Sequence, residues 1–236
     1  MDVAVGTSVY TQFLNERGGI EADVTVTRLA PTQFLVVTGH PSQIRDQALI
    51  RAHAKPEWRF EIFDATSAYG LLTIHGPKSR AILQALSADD LSNAAFPFGA
   101  AREIDLGHAR VWAIRRSFLG ELGYELLMPT EFSAHVYEAM MQVGRPQGLR
   151  LAGMFALGAC RLEKAFRHFG HDIGEEDTPY ETGLGFAVKL DKPDFIGKAF
   201  LAKQKADQGA ATHHRTVAIA VEGATAEAGP YLMHNE

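Results

Sequence analysis

The stretch Asn15-Glu16-Arg17-Gly18-Gly19-Ile20-Glu21-Ala22-Asp23-Val24-Thr25-Val26-Thr27-Arg28-Leu29 decides how this chain is read. A Gly-Gly turn runs directly into a strand of strict alternation. Ile20, Ala22, Val24 and Val26 share one face, and Glu21, Asp23, Thr25 and Thr27 share the other. The pattern predicts a strand with one side in a core. Asp23 then stands at mid-strand on a stiff element, following a turn whose glycines let a ligand approach the backbone. A solvated strand face is the plain alternative.

Outward from this strand, residues 20–29 and 34–38 flank Ala30-Pro31-Thr32-Gln33 and read as a hairpin. Pro41-Ser42 opens a helix to Ala54, and strands are expected at 59–64 and 69–74. Gly76-Pro77 starts a helix to Leu86, with proline where a missing N–H costs nothing. Strands at 101–106, 109–117 and 124–128 follow, then helices from Thr130 to Val143 and over 153–166. The order between 34 and 117 resembles a split βαβ, ferredoxin-like unit. Hairpin-length connections imply a mainly antiparallel sheet, so the fold class is α+β.

The 236 residues carry a formal net charge of −5 and are 46% hydrophobic, enough for one large or two small domains. Mild acidity gives no electrostatic footprint for nucleic acid, and no apolar run is long enough to span a membrane. The single cysteine, Cys160, cannot form an internal disulfide, which fits a reducing, cytoplasmic setting or a mitochondrial matrix. Both ends read as cut from a longer polypeptide. Arg215 to Glu222 reads as a strand, with nothing after Gly229-Pro230 expected to pair with it.

Three further groups bear on chemistry. Glu121 lies between Gly120 and Gly123 at a strand-to-strand turn, where an ionised carboxylate can accept two parallel N–H donors from one planar ligand; a turn glutamate facing water is the alternative. Tyr124 and Leu126 read as core. Arg161, Lys164 and Arg167 could form a cationic stripe for a ligand's carboxylates. His168 and His171 have no third ligand at useful spacing, so no metal is expected, and His213-His214 reads as linker. Gly183-Leu184-Gly185 lacks the strand-turn-helix context of a dinucleotide site, and no nucleophile elbow is present.

Taken in order, Asn15 to Leu29, Gly120 to Leu126, and Leu162 to Val188 with its Thr178-Pro179-Tyr180-Glu181-Thr182-Gly183-Leu184-Gly185-Phe186 block resemble the aminomethyltransferase (glycine-cleavage T-protein) superfamily. The Glu21-Ala22-Asp23 and Arg161-Leu162-Glu163-Lys164 wordings are most similar to the folate-binding module of dimethylglycine and sarcosine dehydrogenases. The resemblance implies a folate-binding lobe from 1–40 and 150–207, a ferredoxin-like subdomain over 41–149, and the start of a C-terminal β-barrel domain over 208–236. It places the family's reactive aspartate on Asp23 and its pterin-binding glutamate on Glu121. Tyr10, Phe118 and Phe186 fall where relatives line the folate, and Arg161 matches a family arginine. The implied cofactor is tetrahydrofolate, with FAD only in a flavin-dependent oxidoreductase domain elsewhere on the polypeptide or in a partner subunit.

The chain departs from the pattern at Phe118-Leu119, where relatives carry Tyr-Thr, and at Leu157, where a T-protein has arginine. The implied activity is enzymatic capture of a methylated amine's carbon as 5,10-methylenetetrahydrofolate. Alternatives on the same scaffold are a stand-alone folate-dependent demethylase such as those acting on dimethylsulfoniopropionate, a glycine-cleavage aminomethyltransferase, or a non-catalytic folate-binding scaffold.

Overall fold

A computed structural model describes residues 2–207, 215–219 and 232–234. The chain forms two compact units. One comprises Met1–Val9, Thr27–Leu35 and Ala54–Leu157; the other comprises Tyr10–Val26, Val36–His53 and Gly158–Glu236.

The first unit is built on an antiparallel sheet of β4 (Tyr69–His75), β5 (Ala101–Leu106), β6 (Ala109–Ile114) and β7 (Gly123–Pro129), in the order β4-β7-β6-β5. Gly107, at φ +61, makes the tight β5–β6 turn that L side chains resist. Period-two alternation sends Tyr124, Leu126 and Met128 of β7 into one core with Ile104, Leu106 and Val111. Ile82 and Leu83 of α2 (Ser79–Gln84) and Val136 and Met140 of α3 (Ser133–Gly144) pack into that core. On the other face Leu127 joins Ala101 and Ile114, so β7 buries apolar side chains on both sides.

A second sheet, in the order β1-β2-β3, consists of β1 (Thr7–Leu14), β2 (Ile20–Ala30) and β3 (Gln33–Val37), and its strands contribute residues to both units. The alternation expected of β2 is present: Ile20, Ala22, Val24 and Val26 are buried. Thr27, expected on the solvated face, is also buried, and its hydroxyl pairs with that of Ser8 at 3.0 Å. Helices α1 (Gln43–Ala52), α4 (Met154–Glu163) and α5 (Lys198–Asp207) complete the main elements.

Mixed helix and antiparallel sheet is therefore the class, as the pattern predicted. Four expectations are corrected. Residues 59–64 form no strand; Phe60 and Phe63 are exposed, so their alternation finds no surface to bury against. β3 belongs to the other sheet, so the 34–117 unit is not the one assembled. The last helix of the 153–166 segment stops at Glu163, because Ala165 turns to φ +55 and its N–H bonds Leu162 carbonyl. β8 (Thr216–Ala218) does have a partner, pairing antiparallel with β9 (Leu232–His234). His213-His214 and most of the 208–236 barrel segment lie outside the described residues.

Candidate functional site

The Gly-Gly turn is closed by its own neighbours. Asn15 Oδ1 accepts the N–H groups of Arg17 and Gly19 at 3.0 and 2.9 Å, and Gly18 takes φ +74. A Cβ on Gly19 would sit 1.9 Å from the Glu175 carbonyl oxygen. The glycine thus admits the 174–177 loop, whose Asp177 carbonyl accepts the Ile20 N–H, and the turn does not offer open backbone to a ligand. Glu21 is held by Arg45 at 2.5 Å.

Past this anchored start, Asp23 projects from β2 half-buried. Tyr10 on β1 donates its O–H to Asp23 Oδ2 at 3.2 Å and itself accepts from Gln12 Nε2 at 3.2 Å. Burial pushes the Asp23 carboxyl above its ordinary range; the Tyr10 hydrogen bond pulls it down, and the charge of Asp46 raises it further. Burial, then the Asp23 charge, also raises the Tyr10 phenol. Tyr10 keeps its proton and serves as a donor. The exposed ring of Phe186 lies 6.1 Å from that of Tyr10, leaving an aromatic pair beside the acid.

Arg161, in contrast, is buried and committed within the fold. It donates to both Asp172 oxygens and, at 2.9 Å, to the Phe166 carbonyl, while Asp172 Oδ2 also accepts the His168 N–H. Arg167 donates to the carbonyls of Ala165 and Thr216, the latter at 3.2 Å. The expected cationic stripe is therefore largely internal bracing. The Thr178 block is a capping box in miniature: Glu181 Oε2 accepts the N–H and hydroxyl of Thr178 at 2.8 and 2.7 Å. The His168 and His171 rings lie 4.3 Å apart, tilted by 36°, and no metal-holding cluster of three or more His, Cys, Asp or Glu occurs among the described residues.

In the other unit, Glu121 is exposed in the turn before β7 and Phe118 is half-buried nearby in sequence. Sequence reasoning missed Glu125. It points from β7 away from the Tyr124 and Leu126 face, is largely buried, and its Oε2 has no hydrogen-bond partner among the described residues. Burial raises its carboxyl above the usual range against the opposing pull of Arg116. Arg116 donates to the Ser8 carbonyl at 2.7 Å and leaves its own Nε without a partner. The signal was available: if Tyr124 and Leu126 are core, Glu125 occupies the opposite face of the same strand.

Residues 1–192 match the family described as the GCVT N-terminal domain. The chain is 40% identical over 237 residues to the 4-methylaminobutanoate oxidase (formaldehyde-forming) of Paenarthrobacter nicotinovorans, covering 100% of this chain and 28% of that protein. It is 40% identical over 205 residues to the mitochondrial dimethylglycine dehydrogenase of Mus musculus, covering 86% of this chain and 24% of the relative. The chain thus spans about a quarter of the length of these curated relatives. Among solved structures, the glycine cleavage system aminomethyltransferase T of Bartonella henselae superposes with a TM-score of 0.75 at 27% identity, over 91% of this chain and 56% of that one. A matching domain, full-length sequence likeness and a shared fold agree: the chain belongs to the GCVT N-terminal domain family, with the aminomethyltransferase fold.

Proposed function

We propose that this chain is a tetrahydrofolate-dependent one-carbon transfer module, working with a flavin-dependent amine-oxidising domain of the same polypeptide or a partner subunit. The observation that carries the reading is Asp23: a half-buried acid of raised proton affinity, oriented by a phenol, beside an aromatic pair. With tetrahydrofolate bound, Asp23 would take the proton lost when a folate nitrogen bonds to the iminium carbon, whose C=N electron pair passes to the substrate nitrogen. It would return that proton to the substrate nitrogen as the amine leaves, while a second folate nitrogen closes the methylene bridge and loses its proton to water. Until it takes the proton, its negative charge offsets the developing positive one. Positioned acid–base groups of this kind are worth about 10²–10⁴-fold in rate.

Tyr10 orients Asp23, and with Phe186 it supplies flat apolar faces for the rings of the folate. An ionised carboxylate can accept the paired N–H donors of a pterin, and the 121–125 segment of the first unit carries two acids. Glu121 is the one the family resemblance names; Glu125, with an unpartnered and largely buried oxygen, meets the physical requirement better. Arg161 supports the site through Asp172.

One specific observation favours a second reading. The relative that covers the entire chain is named for forming formaldehyde, so the carbon could leave as the free aldehyde when no acceptor is bound. Both readings are separated by measuring formaldehyde and 5,10-methylenetetrahydrofolate from the full-length protein, with and without tetrahydrofolate. Under the main reading, added folate diverts the carbon from aldehyde to methylene, and Asp23→Ala abolishes the diversion with folate still bound. Unchanged partitioning in Asp23→Ala removes the aspartate from its role. Glu125→Gln is expected to weaken folate binding by about 1.5–3 kcal/mol, with Glu121→Ala having the smaller effect; the reverse ranking returns the pterin contact to Glu121.

A further inference from the structure

Glu125 does not stand alone on its face of the first sheet. In the register of β7, Ile114 of β6 lies opposite Glu125 on one side and Thr73 of β4 on the other, and His75 of β4 pairs with Gly123. Arg116 follows Ile114 by two positions. Its carbonyl oxygen would meet a Cβ on Gly123 at 3.1 Å, so the chain still runs beside β7 there. Period-two alternation then puts the Arg116 side chain on the face of Ile114 and Glu125. Arg115, between them, points the other way and donates to the Phe96 carbonyl at 2.8 Å, beside the opposite core. Arg116 and Glu125 thus share a face, both partly buried, without forming an ion pair with each other. Arg116 gives one N–H to the Ser8 carbonyl and rests over the Phe98 ring at 5.8 Å. Its Nε has no acceptor, just as Glu125 Oε2 has no donor. A neighbouring donor and acceptor, both left unpaired, are costly until something takes both.

We infer that Arg116 is a specificity-determining residue of the folate site, donating to the 4-oxo oxygen of the pterin beside the two N–H donors held by Glu125. The inference rests on the proposed folate function and on Glu125 as its acidic contact. Along one edge a 4-oxopteridine presents its 2-amino group, its N3–H and then its 4-oxo oxygen. A carboxylate accepts from the first two and has nothing to give the third. The oxygen therefore needs a donor on one flank of the acid. Arg116 stands on the β6 flank with a charged, rigid fork of N–H donors. On the β4 flank, burial holds the His75 imidazole below its usual proton affinity, and its Nδ1 is enclosed without a partner. The guanidinium also opposes the effect of burial on Glu125 and so favours the ionised form that the paired donors require. Exchanging the 4-oxo oxygen for an amino group would turn that acceptor into a donor facing the cation, which is how the pair would reject the wrong pteridine.

Anaerobic calorimetric titration of the full-length protein with tetrahydrofolate, and with its 4-amino analogue, tests this. Arg116→Met is expected to weaken tetrahydrofolate binding by about 10–100-fold, the size of a lost charge-assisted hydrogen bond, and to leave the affinity for the 4-amino analogue unchanged or higher. Equal weakening of both ligands would mark Arg116 as a merely structural residue and overturn the inference; so would tetrahydrofolate binding that does not change. A selective loss of tetrahydrofolate affinity in His75→Gln, with none in Arg116→Met, would place the oxygen on the β4 flank and also overturn it. Should Arg116→Met not fold, Arg116→Gln, whose amide can still donate to the Ser8 carbonyl, is read by the same criterion. Native protein that binds neither pteridine would sink the proposed function along with the inference, whereas native binding that is indifferent to Arg116 sinks the inference alone.

Discussion

The sheet of β4 to β7 and the region around Asp23 bury their side chains by different means. In the sheet, Ile104, Leu106, Val111, Tyr124, Leu126 and Met128 are all fully buried, and apolar contact does the work. In the second unit, which holds Asp23, the buried or half-buried polar groups include Asp23 itself, Asp46, Arg161, Asp172 and Thr182, each held by one to three directional bonds. Apolar burial is tolerant of small shifts and supplies stability at about 25 cal/mol per Å². Buried polar pairs contribute little net stability but fix orientation, and they fail sharply when one partner is lost. A scaffold of the first kind allows half-desolvated acids of the second kind to persist.

The contrast can be broken most forcefully at Asp172. Replacing it with alanine leaves the buried Arg161 guanidinium uncompensated, and urea denaturation should show a loss of about 3–5 kcal/mol. A loss below that of a core truncation would mean Arg161 finds water or another acceptor. Next comes Leu126→Ala in the sheet, expected to cost about 2–5 kcal/mol with the spread set by how far the cavity collapses. Gly19→Ala should cost about 1–3 kcal/mol in the same assay, since its methyl would meet the Glu175 carbonyl; a neutral result would show that the 174–177 loop yields.

Asp23→Asn tests the comparison with the opposite sign. The folded Asp23 binds its proton more tightly than an unfolded aspartate does. Its contribution to stability is therefore full below the ordinary aspartate range and is lost as pH rises through the folded midpoint. The asparagine variant should be more stable than the native chain at neutral pH, with the advantage vanishing in acid; melting curves across pH check this. The smallest effect is expected at the surface pair of Arg17 and Glu176, 3.5 Å apart with both side chains largely exposed. Arg17→Ala should change stability by less than about 0.5 kcal/mol.

Much of this was legible before any coordinates, and the rest was not, for a consistent reason. Alternation in Ile20 to Val26 and around Tyr124 fixed which faces are buried, because period-two patterning is a local property of a pleated strand. The same rule misled at residues 59–64, whose alternation met no second surface, and at Thr27, whose hydroxyl found Ser8 nineteen positions earlier in the chain. Glycine positions gave the turns, but that Gly19 faces a carbonyl from residue 175 depends on a contact no local pattern encodes.

The one-dimensional order of residues determined the class, the principal strands, the membership of the family and the candidacy of Asp23. Tertiary structure alone decided that Tyr10 binds Asp23, that Asp46 is buried beneath a threonine, that Arg161 is spent on Asp172, and that Glu125 is more desolvated than Glu121. Periodicity records which side of an element is apolar. The ionisation and orientation of an acid depend on desolvation and on partners brought together from distant positions, and these exist only once the chain has folded.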